Sequence, residues 1–331
     1  MMKDTNNFAV PQKIMNGLWL FFKQYPSIIA IIILMILISS LTDLFFTVNN
    51  LMNILRQVSM TALLGVGLSF VMLGGEIDIS VGSAVGLMNV LWVKFMMDLP
   101  MHPLPAAVIC FLIAAVIGAT NGFLVAKVKV PALIVTFAMQ SILRGIIFVI
   151  TDSYPMYKVP EVIFPLARGY ILGIIPIPVC IMIAVFIIAI FVSVKTKFGR
   201  FVYAVGGNKE AAHISGIKVA NIKICVFIIG QCMAVLAALL LTSRIGAGLP
   251  NSGTGWEFEA IIACIMGGIS LSGGKGRLLG ALSGAIFVGI MVNGMTLFGI
   301  NSYYQQIVKG LILVLALVID VLVTQKSSAA V

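Results

Sequence analysis

Long apolar segments separated by short polar breaks make up almost the whole chain. A helix needs roughly 20 predominantly apolar residues to cross the hydrocarbon core of a membrane. The pattern predicts membrane-crossing helices at about 27–42, 51–73, 79–96, 104–126, 131–150, 173–194, 222–243, 258–272, 278–298 and 305–323. The predicted fold class is therefore all-α, a polytopic membrane protein with about ten transmembrane helices.

The last two predicted helices come from one uninterrupted apolar stretch. Residues 278–308 carry no charged side chain and are too numerous for a single crossing. The sequence Phe298-Gly299-Ile300-Asn301-Ser302 is typical of a tight turn, and it divides the stretch into two helices. An even number of crossings places both termini on the same side of the membrane.

The composition excludes an ordinary water-soluble enzyme and a disordered protein. Of the 331 residues, 61% are hydrophobic and 10% are charged, whereas soluble domains usually contain about 45–50% apolar and about 25% charged residues. We predict that the chain has three parts: an amphipathic lead-in at 1–26 that is not a cleaved secretory signal, a transmembrane domain at 27–323 and a short tail at 324–331.

The placement of the basic residues predicts the orientation. The net charge is +10, and of the 21 Lys and Arg residues 14 fall in one set of alternate loops, five in the other set and two, Arg144 and Lys309, within helices. The positive-inside rule then places both termini in the cytoplasm. The basic residues form no stripe with interleaved aromatics, so a nucleic-acid partner is excluded.

The inner loop at 195–221 is longer than a connection requires. It is basic, and Asn208 precedes a short run of helix-forming residues in which Glu210 lies in the first turn. An Asn side chain can cap a helix start, and a carboxylate there complements the helix dipole. We expect a short helix that ends before Gly216 and acts as a docking surface.

The sequence contains no motif that would supply the energy for active transport, such as a nucleotide-binding site. The nearest match to a phosphate-binding loop, at 268–276, has Ile269 where the motif requires Gly and Gly276 where it requires Ser or Thr. The five cysteines and two histidines have neither metal-site nor disulfide spacing. We therefore predict no catalytic residues, no metal site and no cofactor bound by this chain.

Polar residues near or within the predicted helices allow two interpretations. Glu76 and Asp78 lie two residues apart and could bind a cation, or Asp78 and Ser80 could cap the following helix. Isolated polar side chains in apolar helices either line a pathway or form hydrogen bonds inside the bundle. These are Asn121, Gln140, Gln231 and Asn293.

Five long motifs resemble a known family. They are FFTVNNLMNIL (45–55), LGGEIDISVGS (73–83), FGRFVYAVGGNKEAAHISGIKV (198–219), SGTGWEFEAIIACIMGGISLSGGKGRLLGAL (252–282) and SYYQQIVKGLILVLAL (302–317). The chain resembles the membrane permease subunits of bacterial sugar importers of the ATP-binding-cassette type. These are the ribose, xylose and galactose permeases, which are related to branched-chain amino acid permeases.

The resemblance implies several partners. In such systems two permease copies, identical or homologous, form the pathway, separate cytoplasmic ATPase subunits use ATP and Mg, and an extracytoplasmic binding protein delivers the sugar. The segment at 207–217 is similar to the family's coupling segment, which inserts into the ATPase. It implies docking roles for Gly207, Asn208, Glu210, Ala211, Ser215 and Gly216.

The resulting hypothesis is a multi-pass permease in the bacterial cytoplasmic (inner) membrane, embedded in membrane lipid, which imports a ribose-like monosaccharide. Two alternatives stay open. One is a stand-alone sugar transporter driven by an ion gradient, for which Glu76 with Asp78 is the only hint in the sequence. The other is a permease of the same class that carries a branched-chain amino acid or a signalling sugar.

Overall fold

A computed structural model describes residues 26–328, with side chains over 27–321. The predicted lead-in lies outside these residues except for Pro26. Of the predicted tail, residues 324–328 continue the last helix, and the rest lies outside the described range. The helices are α1 (Pro26–Leu41), α2 (Val48–Leu73), α3 (Val81–Met97), α4 (Pro103–Phe123, continued by a π-helical turn at Leu124–Val128), α5 (Ala132–Thr151), α6 (Pro165–Arg168), α7 (Ile177–Lys195), α8 (Lys197–Gly207), α9 (Lys209–Ile214), α10 (Val219–Ile245), α11 (Trp256–Met266), α12 (Leu278–Leu297) and α13 (Ser302–Ser328).

The all-helical membrane architecture is confirmed. Each of the ten predicted segments contains a helix, and seven helices within the described residues are long and apolar enough to cross a membrane. These seven are α2, α4, α5, α7, α10, α12 and α13. The helices α1 and α3 are apolar but slightly shorter.

The predicted crossing at 258–272 differs from the structure. Helix α11 has only 11 residues, which at about 1.5 Å per residue spans roughly half of a hydrocarbon core about 30 Å thick. The helix ends because Gly267 and Gly268 terminate it, and Gly268 has a φ of 81° that other residues rarely adopt. An irregular segment at 267–277 follows, so this part of the chain is a half-helix and a turn.

Helix α10 lies at the centre of the bundle. It packs most extensively against α4 and α2, and α12 packs against α11 and α2. Small residues permit the closest approach: a Cβ atom at Gly118 of α4 would lie 2.6 Å from the Cα atom of Ile228, and one at Gly122 would lie 2.5 Å from the Cα atom of Ile224. Close backbone contact of this kind is a principal source of helix association in membranes.

The segment between α5 and α7 is tied to the end of α10. It contains a 3₁₀ turn at Glu161–Ile163, the helix α6 and a two-stranded antiparallel hairpin of β1 (Tyr170–Ile171) and β2 (Ile175–Pro176). Arg168 stacks its guanidinium on Phe164 and donates to the carbonyl oxygen of Arg244 at 3.0 Å. These contacts hold a loop that lacks a core of its own.

The close contact between α4 and α10 gives a prediction for stability. Replacing Gly118 by alanine is expected to cost about 1–3 kcal/mol, because the added methyl group would push the two backbones apart. The Gly310→Ala variant is the control, since the exposed Gly310 has no described atom within 4 Å of an added Cβ. Thermal unfolding in detergent should show a lower Tm for Gly118→Ala alone; equal Tm values would contradict the packing described.

Candidate coupling surface and polar clusters

The inner loop folds into two short helices whose starts are both capped. Thr196 accepts a hydrogen bond from the amide of Gly199 at 3.2 Å at the start of α8, and Asn208 accepts one from the amide of Ala211 at 2.9 Å at the start of α9. Helix α9 ends at Ile214. The predicted helix that begins after Asn208 and ends before Gly216 is confirmed, whereas α8 was not predicted.

The six predicted docking residues all lie on the exposed side of this loop. Ala212 is buried and anchors α9 against the bundle. Ile214 was not among the predicted residues; it is 86% exposed and is the most accessible large apolar side chain of α9. An isoleucine at the last position of a capped helix whose other residues are polar or alanine is the signal that could have identified it.

Glycines join the inner loop to two irregular segments, 74–80 after α2 and 267–277 after α11, which we call the first and second glycine-rich breaks. We call Gly75, Gly206, Gly273 and Gly274 the glycine contact. A Cβ at Gly206 would overlap the carbonyl oxygen of Leu73, and one at Gly273 would lie 2.7 Å from the Cα atom of Gly75. The three segments therefore meet backbone to backbone.

A hydrogen bond and a tyrosine reinforce this junction. The amide of Gly274 donates to the carbonyl oxygen of Leu73 at 3.0 Å, and the hydroxyl of Tyr203 on α8 donates to the carbonyl oxygen of Gly276 at 3.0 Å. Burial raises the pKa of the Tyr203 phenol, against a smaller lowering effect of Arg277. The phenol therefore stays protonated and remains a donor at neutral pH.

Four of the predicted polar residues form one buried network between α3, α4 and α10. The carboxylate of Asp78 accepts from the amide of Ser80 and from Gln231 Nε2, both at 2.8 Å, and Asn121 Nδ2 donates to Ser80 Oγ at 3.1 Å. All four side chains are fully buried. This arrangement corresponds to hydrogen bonding inside the bundle, the second of the two interpretations.

The two carboxylates of the first break have separate partners. Glu76 forms a salt bridge with Lys223 at the start of α10, whereas Asp78 points into the buried network. The two carboxylates therefore do not converge on one shared site in this arrangement. The capping alternative holds only in part. The Asp78 carboxylate accepts a hydrogen bond from the amide of Ser80, just before α3, but the Ser80 side chain makes no capping hydrogen bond within the described chain.

The remaining two predicted residues lie elsewhere. Asn293 of α12 exchanges two hydrogen bonds with Asn50 of α2, at 3.1 and 2.7 Å, so it joins two packed helices. Gln140 of α5 donates to Glu257 Oε1 at 2.9 Å. Arg144, one turn further along α5, donates to the carbonyl oxygens of Pro250 and Ser252 at 3.1 and 3.0 Å.

Gln140, Ser141 and Arg144, which we call the α5 polar strip, lie near the middle of a membrane-length helix. Their side chains are half-buried or exposed. Glu257 is buried beside them at the start of the half-helix α11, and its Oε2 atom lacks a hydrogen-bond partner among the described residues. A charged and polar cluster at this depth is costly when it faces lipid, so the strip indicates a polar neighbour.

Lys309, the other basic residue within a predicted membrane helix, is paired with a carboxylate of the same chain. Lys309 of α13 forms a salt bridge with Glu259 of α11, and Thr61 donates to the other carboxylate oxygen at 3.4 Å. The two side chains are 15% and 6% exposed. Residues 27–321 contain no group of three or more His, Cys, Asp and Glu side chains that could hold a metal ion.

The buried pair gives a second prediction. The Lys309→Met variant should lose about 3–5 kcal/mol of stability, because Glu259 is left as an uncompensated buried charge. The double variant Lys309→Met/Glu259→Gln should recover most of that loss. The exposed pair of Lys94 and Asp98 is the control, and Lys94→Met should cost only about 0–1 kcal/mol. Thermal unfolding of the wild type and the three variants measures these losses of stability. Similar losses for Lys309→Met and Lys94→Met would contradict the prediction.

Comparison with known proteins places the chain in a family. The family described as "Branched-chain amino acid transport system / permease component" matches residues 50–317. The ribose import permease protein RbsC of Haemophilus influenzae is 38% identical, with 97% of each chain covered. RbsC of Bacillus subtilis is 39% identical over 88% of this chain and 91% of that protein, and the xylose permease XylH of Escherichia coli is 34% identical over 89% and 91%. No solved structure matches. The chain therefore belongs to this family of permease components.

Proposed function

We propose that this chain is the permease subunit of an ATP-binding-cassette importer that carries a ribose-like monosaccharide across the bacterial cytoplasmic membrane. The observation that carries the proposal is the similarity to ribose import permeases at 38–39% identity over most of the chain. The seven apolar helices of membrane length support a multi-pass protein of this kind. Both termini are proposed to face the cytoplasm, as the distribution of basic residues predicts.

The energy is proposed to come from a separate ATPase subunit that binds ATP and Mg. Helix α9 offers such a partner a capped, exposed helix with Glu210 and the apolar Ile214 at its surface. The glycine contact joins this loop directly to the segments that precede α3 and α12. A displacement of α9 would therefore reach the membrane helices through backbone, with few flexible side chains in between.

The sugar path is proposed to lie between two permease copies. The α5 polar strip supports this, because Gln140, Ser141 and Arg144 are accessible at a depth where lipid is an unfavourable neighbour. A second copy that faces the strip would enclose it with amide, hydroxyl and guanidinium groups, which can bind sugar hydroxyls. An extracytoplasmic binding protein would deliver the sugar to the open end.

The alternatives are less well supported. For transport driven by an ion gradient, the candidate carboxylates Glu76 and Asp78 have separate partners. Lys309, at membrane depth, is paired with Glu259. The description of the matching family favours a branched-chain amino acid as the second candidate cargo, while relatives that are 38–39% identical over at least 90% of this chain are named for ribose.

Reconstitution tests the proposed function directly. The permease is placed in proteoliposomes with its ATPase and its sugar-binding protein, and uptake of labelled ribose, xylose and leucine is measured. We expect ribose uptake that requires ATP and persists when proton and sodium gradients are collapsed. Uptake that follows a gradient without ATPase would refute the proposal, and a preference for leucine would move the cargo to the second candidate.

The same vesicles test the inner loop. Gly216 adopts a φ of 81° just after α9, so Gly216→Val strains the backbone and should displace the docking helix. Uptake should fall at least about tenfold, as expected when a docking element loses roughly 1.4 kcal/mol of binding energy. Gly173→Val is the matched control, since Gly173 has a φ of 70° and, like Gly216, no described atom within 4 Å of an added Cβ. Equal uptake by both variants would contradict a coupling role.

A further inference from the structure

A basic cavity of about 810 Å³ lies beside the inner loop. It is bounded by the end of α4, the start of α5, helix α9 and the start of α10. Five lysines line it, Lys127, Lys129, Lys209, Lys218 and Lys223. Its volume is in the range of sites that hold small molecules or large headgroups.

The charge of this cavity is not balanced by its own acidic residues. Two glutamates also line it, and each is paired with a lysine: Glu76 with Lys223, and Glu210 with Lys209. Lys127, Lys129 and Lys218 form no salt bridge with any described residue. Three uncompensated positive charges around one concave surface attract an anion.

The backbone that presents two of these lysines is unusual. Residues Leu124–Val128 form a π-helical turn, and Lys129 adopts a φ of 66°, which residues with a side chain rarely do. Such turns and such backbone angles occur preferentially at functional sites. Here they bring Lys127 and Lys129 to the wall of the same cavity, although a regular helix would place residues two apart on different faces.

Exposed apolar residues are neighbours in sequence of the residues that line the cavity. Phe123, Val128, Leu133 and Ile134 flank the cavity along the chain, and each is more than half exposed. The combination of lysines in a recess with accessible apolar side chains next to it fits a ligand that has a phosphate at one end and hydrocarbon at the other. Basic pockets between helices at the cytoplasmic membrane surface bind anionic headgroups in this way.

We infer that this cavity binds a phosphate group, and that its source is the headgroup of an anionic phospholipid. The phosphate would lie among Lys127, Lys129 and Lys218, with the acyl chains along the apolar surface that begins at Leu133. Because Lys209 and Glu76 line the same cavity, a bound lipid contacts both α9 and the first glycine-rich break. The site does not depend on the identity of the transported solute.

Lipid titration of the purified full-length protein tests this inference. Phosphatidylglycerol, phosphatidylcholine or inorganic phosphate is added to the protein in a neutral detergent, and bound lipid is counted by native mass spectrometry while Tm is recorded. We expect phosphatidylglycerol to remain bound and to raise Tm, and the other two additives to have little effect. Displacement of the lipid by inorganic phosphate would show a site for free phosphate, and equal binding of the two lipids would overturn the inference.

Two triple variants with the same loss of charge identify the site. Lys127→Gln/Lys129→Gln/Lys218→Gln should weaken phosphatidylglycerol binding by about tenfold or more. Lys195→Gln/Lys197→Gln/Lys275→Gln should not weaken it, because these exposed lysines lie outside the cavity. Equal weakening in both would indicate attraction by general surface charge and would contradict a defined site. If the first triple variant does not fold, phosphatidylglycerol binding is compared between Lys218→Gln and Lys275→Gln. Weaker binding by Lys218→Gln alone supports the site, and equal binding contradicts it.

Discussion

The contact among Gly75, Gly206, Gly273 and Gly274 is the constraint on which the rest of this structure depends. Three chain segments that are far apart in sequence meet there without side chains between them, and the amide of Gly274 donates to the carbonyl oxygen of Leu73 at 3.0 Å. A methyl group at Gly206 would overlap the Leu73 carbonyl oxygen. Because packed backbone is stiff, the inner loop and the two glycine-rich breaks are expected to move together.

Compensation of charge inside the bundle agrees with a permease that takes its energy from another subunit. Lys309 is paired with Glu259, and Glu76 with Lys223. Asp78 has hydrogen-bond donors around it but belongs to no chain of neighbouring carboxylates within the described residues. Proton-driven transporters usually contain such a chain of titratable groups. In the α5 polar strip, Arg144 is half-buried and donates to two carbonyl oxygens, while Ser141 is exposed.

The sequence predicted the elements that depend on local chemistry. Each of the ten predicted apolar segments contains a helix, although only seven helices of the described residues are of membrane length, and the position of Asn208 before a helix-forming run predicted the start of α9. Helix α8 is amphipathic, but it has only 11 residues, three of them glycine, so the search for apolar segments of membrane length did not predict it. Helix α11 was predicted too long, since hydropathy alone does not distinguish a half-helix followed by a turn from a full crossing.

Contacts between distant segments were beyond sequence reasoning. Gln231 lies 153 residues from Asp78 and Asn293 lies 243 residues from Asn50, so no local pattern indicates that these side chains meet. The contact of the two glycine-rich breaks with each other and with Gly206 likewise depends on the packing of α8. The polar residues accordingly separate into a buried network, an inter-helix pair and the accessible strip on α5.

The central claim is that the inner loop drives the membrane helices through the glycine contact. The most direct measurement is the number of ribose molecules imported per ATP hydrolysed by the assembled transporter carrying Gly206→Ala, compared with Gly310→Ala. We expect the Gly206→Ala transporter to keep ATPase binding and hydrolysis but to import several-fold less ribose per ATP, because the loop no longer packs against Leu73 and Gly274. An unchanged ratio in a Gly206→Ala complex of normal assembly would contradict it.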